Sequence, residues 1–342
     1  MKIGLTFDLK SDWQISPGDP IDASAEFDTP KTIEDLSHAL NSFGHTVKRI
    51  GNVKNLLQQL DDLDVDIVFN ICEGVAGRNR ESQVPVILET IGIPCLGSDG
   101  LTLGITLDKV VAKKCFIADG IPTPRFFVAH HTKQLKELNQ IGFPLIVKAI
   151  REGSSKGLSE KSRVTDFAGL KKQVEFINDT YQQPALVEEF IRGTEFTVAV
   201  MGNEKPEALP VVQVSIDGVV NLGDDFYTFS RLLNPDRVQY ICPTKIPAPL
   251  DRKLKDLAVR AYKSVECQDF GRVDFRVDEQ GNPYVLEINP LPCLATNDVF
   301  FFTAKALGVG YEEMINKILE FGLKRYGLNP TFSNEKVARR AH

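Results

Sequence analysis

The sequence predicts an α/β protein: an open parallel sheet at the N-terminus, followed by a central and a C-terminal α+β lobe. Three observations carry this. Strand and helix patterns alternate over roughly the first hundred residues, the wiring that parallel sheets require. Near mid-chain the apolar strand FPLIVK runs into a Gly/Ser loop, REGSSKG. Toward the end, GRVDFRVDEQGNPYVLEINPLP, Gly271 to Pro292, reads as two strands about a turn.

Taken in order, Lys2 to Phe7 is a strand, and a polar loop leads to a helix near Lys31 to Phe43 ending at Gly44. A strand at Thr46 to Ile50, a leucine-rich helix and a strand at Asp66 to Asn70 come next. A glycine-bearing loop, a helix and the strand-like IPCLG complete a first region, 1–105. The second region, 106–187, opens with a helix from Leu107 to Asp119 that Gly120 and IPTP bring to a stop. Phe126 to Ala129 is strand-like, Thr132 to Ile141 helical, and Pro144 to Ala149 an apolar strand. The strand Ala185 to Phe190 leads into the third region, 188–330. That region holds the alternating run Glu195 to Met201, a helix at Asp251 to Glu266, the hairpin and a closing helix near Tyr311 to Tyr326; 331–342 is a tail.

The hairpin raises a chemical question, because it sets an arginine, two acids and an asparagine among apolar residues. Side chains two apart on a strand share a face. Arg272 therefore joins Asp274, Glu287 joins Asn289, and Val273, Phe275, Leu286 and Ile288 point the other way. If the register brings the polar faces together, two carboxylates and a carboxamide converge, an all-oxygen set suited to Mg²⁺ or Mn²⁺ rather than zinc. Arg272 would stand beside it with forked donors for an oxyanion. An exposed hairpin with ordinary surface charges is the competing reading, and the hairpin alone does not separate the two.

The chain has 342 residues, 42% hydrophobic and 25% charged, long enough for two or three compact lobes. No apolar run reaches the length of a membrane span, and MKIGLTFDLK reads as a strand rather than a signal peptide, so a cytoplasmic protein is expected. The six cysteines lack CxxC spacing, which points to reduced thiols rather than zinc or disulfides. A net charge of −6 argues against a nucleic-acid surface and for a small-molecule partner.

In REGSSKG, glycines flanking Ser154 and Ser155 permit tight turns whose amides can cradle phosphate oxygens, with Lys148 supplying charge at the strand end. Neither GxxxxGK[ST] nor GxGxxG occurs. The loop is an ordinary connection when taken alone; beside a metal-type hairpin it reads as a lid over a nucleoside triphosphate.

The motifs then fall in a recognisable order: Asp108-Lys109, GIPTP, FPLIVK with REGSSKG, LVEEFIRGTEFTV, QYICP and GRVDF…YVLEINPLP. This order resembles the ATP-grasp superfamily, and within it the D-alanine–D-alanine ligases, over roughly residues 60 to 325. The resemblance implies that the lobes clamp ATP. It implies Lys109 and Lys148 on the phosphates with Ser155 nearby, Glu188 with Glu189 to Ile191 along adenine, and Glu195 on the ribose. Asp274, Glu287 and Asn289 match the Mg²⁺ ligands, Ser154 the loop serine closing over the first substrate, and Arg272 the oxyanion arginine. In such enzymes a carboxylate attacks the γ-phosphate, and an amine displaces phosphate from the resulting acyl phosphate.

Departures from the family pattern bear on substrate. KSDWQISPGDPIDASAEFD replaces a short Gly-rich turn, leaving Glu26 to take the family's amine-orienting role; a mobile acidic loop is the alternative. CEGVAGRNRESQ carries Arg78 and Arg80 where the family has acids, a pair able to hold an extra substrate carboxylate. NPLPCLATND puts Cys293 at a glycine position, read as a packed thiol, and Asn297-Asp298 where a serine usually receives the acceptor's carboxylate. Arg231 stands in for a missing phosphate lysine. The expected activity is ATP-dependent ligation of a carboxylate to an amine, both small amino-acid-like molecules, by a homodimer. A true D-alanine–D-alanine ligase with divergent loops and a non-catalytic nucleotide-binding regulator are the alternatives.

Overall fold

The computed structural model describes residues 1–14, 16–137, 141–234 and 236–328; the expected tail at 331–342 lies outside them. Strands β1 (Lys2–Phe7), β2 (Thr46–Gly51), β3 (Ile67–Ile71) and β4 (Cys95–Leu96) form a parallel sheet in the order β2-β1-β3-β4. The order follows from βαβ crossovers through helices Pro30–Ser42, Val53–Gln58 and Gln83–Thr90. Asp8 and Glu73 follow the C-terminal ends of β1 and β3, the edge where open α/β sheets take ligands.

The second sheet comprises β5 (Phe126–Ala129), β6 (Leu145–Ala149), β7 (Arg163–Val164) and β8 (Ala185–Glu189), in the order β5-β8-β6-β7. Val147 and Val187 are fully buried beneath Leu170 and Val174 of helix Phe167–Tyr181, and each such side chain contributes roughly 1.5–3 kcal/mol. The third sheet has seven strands. They are β9 (Gly193–Met201), β10 (Glu207–Ala208), β11 (Val212–Ile216), β12 (Asn221–Gly223), β13 (Val238–Ile241), β14 (Phe270–Asp278) and β15 (Pro283–Asn289). Helix Ala248–Ser264 covers one face through Leu254, Leu257 and Ala261.

Two elements differ from the sequence reading. The helix expected from Leu107 to Asp119 is two helices, Gly100–Leu107 and Lys109–Ala118, broken where Asp108 leaves helical geometry to accept the amide of Val111. Thr132 to Glu137 is a 3-10 turn rather than the start of an α-helix. The closing helix, Tyr311–Arg325, returns to the first sheet: Ile315 and Ile318 pack in one core with Ile3, Leu5, Phe69 and Phe270. No helix among the described residues is long and apolar enough to cross a membrane.

Candidate active site

The hairpin places its polar residues opposite one another. Asp274 pairs in register with Glu287, and Arg272 with Asn289. Between Asp274 and Phe275 the register slips, a bulge that re-aims side chains next to it. Arg272 donates from Nε and Nη2 to the Asp274 carboxylate at 3.0 and 2.9 Å, Asn289 Nδ2 donates to it at 2.9 Å, and the Thr197 hydroxyl on β9 donates at 2.6 Å. Glu287 faces Lys109 at 3.1 Å. Burial works to raise the Glu287 pKa, but Lys109 and Lys148 outweigh it and the carboxyl is held low. Two adjacent carboxylates and a carboxamide oxygen fit a cation that fills its remaining positions with water and phosphate. Among the described residues, no three His, Cys, Asp or Glu side chains form a ready-made protein cage.

Lys109 opens the helix Lys109–Ala118, and its Nζ also donates to the Glu152 carbonyl at 2.6 Å. One turn on, Lys113 is buried and reaches Glu188 at 2.6 Å, while Lys148 on β6 reaches the other Glu188 oxygen at 2.9 Å. Burial alone would raise Glu188; the two ammonium groups bring it down to about 2. Burial pulls Lys113 down, whereas Lys148, with Glu188 and Glu287 around it, ends raised. Glu195 lies 3.2 Å from Arg276, whose Nε bonds the Ile191 carbonyl and whose guanidinium sits 5.1 Å from the centre of the Phe190 ring. Glu189 pairs with Arg125 at 3.0 Å toward solvent.

The loop 151–157 turns through left-handed geometry at Ser154 (φ 45°) and Ser155 (φ 56°). It is fastened to the first sheet's long loop: Glu26 accepts from the Gly153 amide and Arg80 at 2.6 Å and from Lys156 at 2.9 Å. A Cβ on Gly153 would stand 2.8 Å from Glu26 Oε1, so glycine is what allows this approach. Glu26 is therefore not a solvated loop acid. Burial would raise its pKa, and Arg80 and Lys156 turn it downward. A group of acids sits close by. Burial raises Asp8, Asp28 to about 7, Glu81 to about 8 and Glu73 well above the usual range.

The remaining predicted residues divide. Arg80 is buried against Glu26 and the Arg151 carbonyl, while Arg78 is exposed, 3.4 Å from Asp108. Arg231 turns inward to the Phe226 carbonyl at 2.7 Å and to Asp225 at 2.8 Å, so its charge is spent within its own segment. Asp298 caps helix Val299–Leu307, accepting the Val299 amide, and lies 3.7 Å from Arg272; Asn297 is exposed. Cys293 corrects an expectation: it is exposed rather than packed, because Pro292 and Leu294 on either side take the buried positions. Sequence reasoning missed Lys113, Lys156, Thr197 and Arg276. Three of them left a signal: Lys113 lies one helical turn from Lys109, on the same face, Lys156 is the lysine of REGSSKG, and Arg276 shares a strand face with Asp274.

Comparison with known proteins bears on the fold and the family. A family model described as "D-ala D-ala ligase C-terminus" matches residues 116–320. A D-alanine–D-alanine ligase of Pelotomaculum thermopropionicum is 33% identical over 308 residues, 87% of this chain and 93% of the relative. The uncharacterised protein y4sG of Sinorhizobium fredii is 34% identical, covering 84% and 86%. The crystal structure of the Bacillus anthracis D-alanine–D-alanine ligase complexed with ATP superposes with a TM-score of 0.74 at 24% identity, over 96% of this chain and 99% of that one. With its parallel sheet leading into two antiparallel sheets, the fold is ATP-grasp and the protein an ATP-dependent, ADP-forming ligase that makes carbon–nitrogen bonds. The chain belongs to the D-alanine–D-alanine ligase family.

Proposed function

We propose that this ligase couples the carboxylate of one amino acid, or amino-acid derivative, to the amine of another, with ATP bound between the lobes 106–187 and 188–330 against the domain 1–105. The reading rests chiefly on the register of Asp274 against Glu287, with Lys109 and Arg272 each within salt-bridge distance of one of these acids. Asp274, Glu287 and Asn289 would hold Mg²⁺ or Mn²⁺. When bound, that cation neutralises charge on the transferring phosphoryl group. Lys109 and Lys148 face the phosphates, already oriented by Glu287 and Glu188. Ser155 borders the phosphates, Glu188 to Ile191 line adenine, and Glu195 takes the ribose.

The first substrate's carboxylate attacks the γ-phosphorus and ADP leaves. The amine then adds to the acyl carbon, and Arg272 stabilises the oxyanion until phosphate departs. Ser154 closes over the first substrate, Glu26 orients its amine, and Arg78 with Arg80 is assigned to an additional carboxylate. Of these two, Arg78 has the accessible charge. Asn297 and Asp298 border the acceptor. Arg231, turned inward, supports the phosphate-side segment. A cytoplasmic homodimer is part of the same proposal.

One alternative keeps D-alanine for both substrates; the 33% identical relative of that name favours it. A pairwise screen of D- and L-amino acids for ATP-dependent phosphate release, with mass spectrometry of products, decides between them. D-alanyl-D-alanine as the main product establishes D-alanine for both substrates, a different main product excludes it, and phosphate release that ignores every added amino acid overturns both readings.

A further inference from the structure

Between the loop 75–80 of the first sheet and residues 151–156 and 181–183 of the central lobe lies a cavity of about 230 Å³. Four cations line it, Arg78, Arg80, Arg151 and Lys156, against one acid, Glu152. Two of the cations are already spent: Glu26 neutralises Arg80 and Lys156, and Glu152 is shared by Lys156 and Gln183. Arg78 and Arg151 are not. The nearest carboxylate to both is Asp108, whose Oδ2 lies 3.4 Å from one guanidinium and 3.7 Å from the other, too far for the 2.7–2.9 Å bonds that charged partners make. A single buried acid thus stands near two forks of donors, and among the described residues neither guanidinium makes a side-chain hydrogen bond.

The backbone adds to this. Among the described residues, the amides of Val75 to Asn79 donate to no protein acceptor. Gly77, at φ 97°, has nothing within 4 Å of where a Cβ would stand, so the main chain is bare on that side. Free successive amides beside guanidinium groups make an anion-binding concavity. The space is large enough for a tetrahedral or planar oxyanion with a few waters.

We infer that this cavity is a binding site for a small oxyanion, of phosphate or carboxylate chemistry, held by Arg78, Arg151 and the amides of 75–79. It lies apart from the metal-type hairpin, none of whose residues line it. An anion there bridges the first sheet to the loop that carries Ser154 and Ser155. Such an anion has two sources, free phosphate or a side-chain carboxylate on the substrate, and they are separable by experiment.

The test titrates inorganic phosphate into the whole protein at low ionic strength, with and without saturating Mg²⁺ and a non-hydrolysable ATP analogue. Calorimetry reads binding and amide hydrogen exchange reads 75–79. Expected are saturable binding that persists with the nucleotide analogue present, slowed exchange at 75–79, and affinity reduced about tenfold or more in both Arg78→Ala and Arg151→Ala. Parallel titrations with alanine and with glutamate identify the source. Glutamate that displaces phosphate while alanine does not points to a substrate carboxylate, and neither displacing it points to free phosphate. Binding of neither phosphate nor glutamate overturns the inference. So does binding indifferent to both substitutions, or phosphate expelled by the nucleotide analogue, which would locate the anion in the nucleotide site.

Discussion

Lys109 Nζ stands 3.1 Å from Glu287 Oε2, joining the start of a helix in mid-chain to the last strand of the hairpin. The same ammonium holds the Glu152 carbonyl, so one side chain ties the hairpin to the loop 151–157. Glu287→Gln keeps size and shape but removes the charge. Phosphate release should fall by more than about a hundredfold, the scale for losing a charge-stabilising group, with the thermal midpoint little changed. Near-normal turnover at saturating Mg²⁺ would remove the hairpin as the metal site.

Lys148→Ala should act on nucleotide affinity. The lysine is raised in pKa and stays charged across the working range, held by Glu188 at 2.9 Å. Losing a charged donor to phosphate weakens binding of the ATP analogue by about tenfold or more. Calorimetry reads this directly, and unchanged affinity would place the phosphates elsewhere.

Lys113 makes a stability prediction. It is buried with Glu188, and Lys113→Met leaves that carboxylate with Lys148 alone. Stranding part of a buried charge costs about 3 kcal/mol, the lower end for broken buried pairs, because one partner remains. Urea unfolding of the single variant and of Lys113→Met with Glu188→Gln separates the causes. The double variant should recover much of the loss, and a double variant no more stable than the single would show that packing rather than charge is responsible.

The raised acids set a pH dependence. Asp28 titrates at about 7 and Glu81 at about 8 when folded, both above their unfolded values because of burial. Between the unfolded and folded values the native protein binds more protons than the unfolded chain, so stability falls as pH rises. Unfolding midpoints should decline from about pH 5 to 8. Asp28→Asn, which keeps the backbone bonds to Lys10 and Asp8, should flatten part of that slope. An unaltered slope would mean that Asp28 is ionised in the folded state.

Asp298 tests the proposed acceptor pocket. A lone aspartate at ~4 Å would oppose a free carboxylate by about 4 kcal/mol at an effective dielectric near 20. Here Arg272 at 3.7 Å offsets some of that, and burial raises the Asp298 pKa. Asp298→Ser preserves a helix cap and removes the charge. Relative use of acceptors bearing an α-carboxylate over amines lacking one should rise. Identical preference profiles would take Asp298 out of the acceptor pocket.

The hairpin was legible because its chemistry obeys a period of two: Arg272 with Asp274 and Glu287 with Asn289 need only alternation to share a face. The parallel sheet was legible for a similar reason, its helices and strands being local patterns. What escaped was pairing across sequence distance. Lys113 reads as one of several lysines on an exposed helix until β8 brings Glu188 against it. Arg231 carries a charge in the right neighbourhood, yet the carbonyl it satisfies, Phe226, is fixed by the fold of its own loop. Asp108 broke a helix that apolar spacing ran straight through, since a cap depends on φ and ψ at one residue.

Glu26 accepts three donors at once: a main-chain amide, a guanidinium and an ammonium. Two of the three, Gly153 and Lys156, belong to the loop 151–157, so this one acid pins that loop to Arg80 of the first domain. A carboxylate has about four acceptor sites, which leaves room for one more donor. Under the role proposed for Glu26, a substrate amine would join the three donors rather than displace one, and the loop would be held more tightly for its arrival.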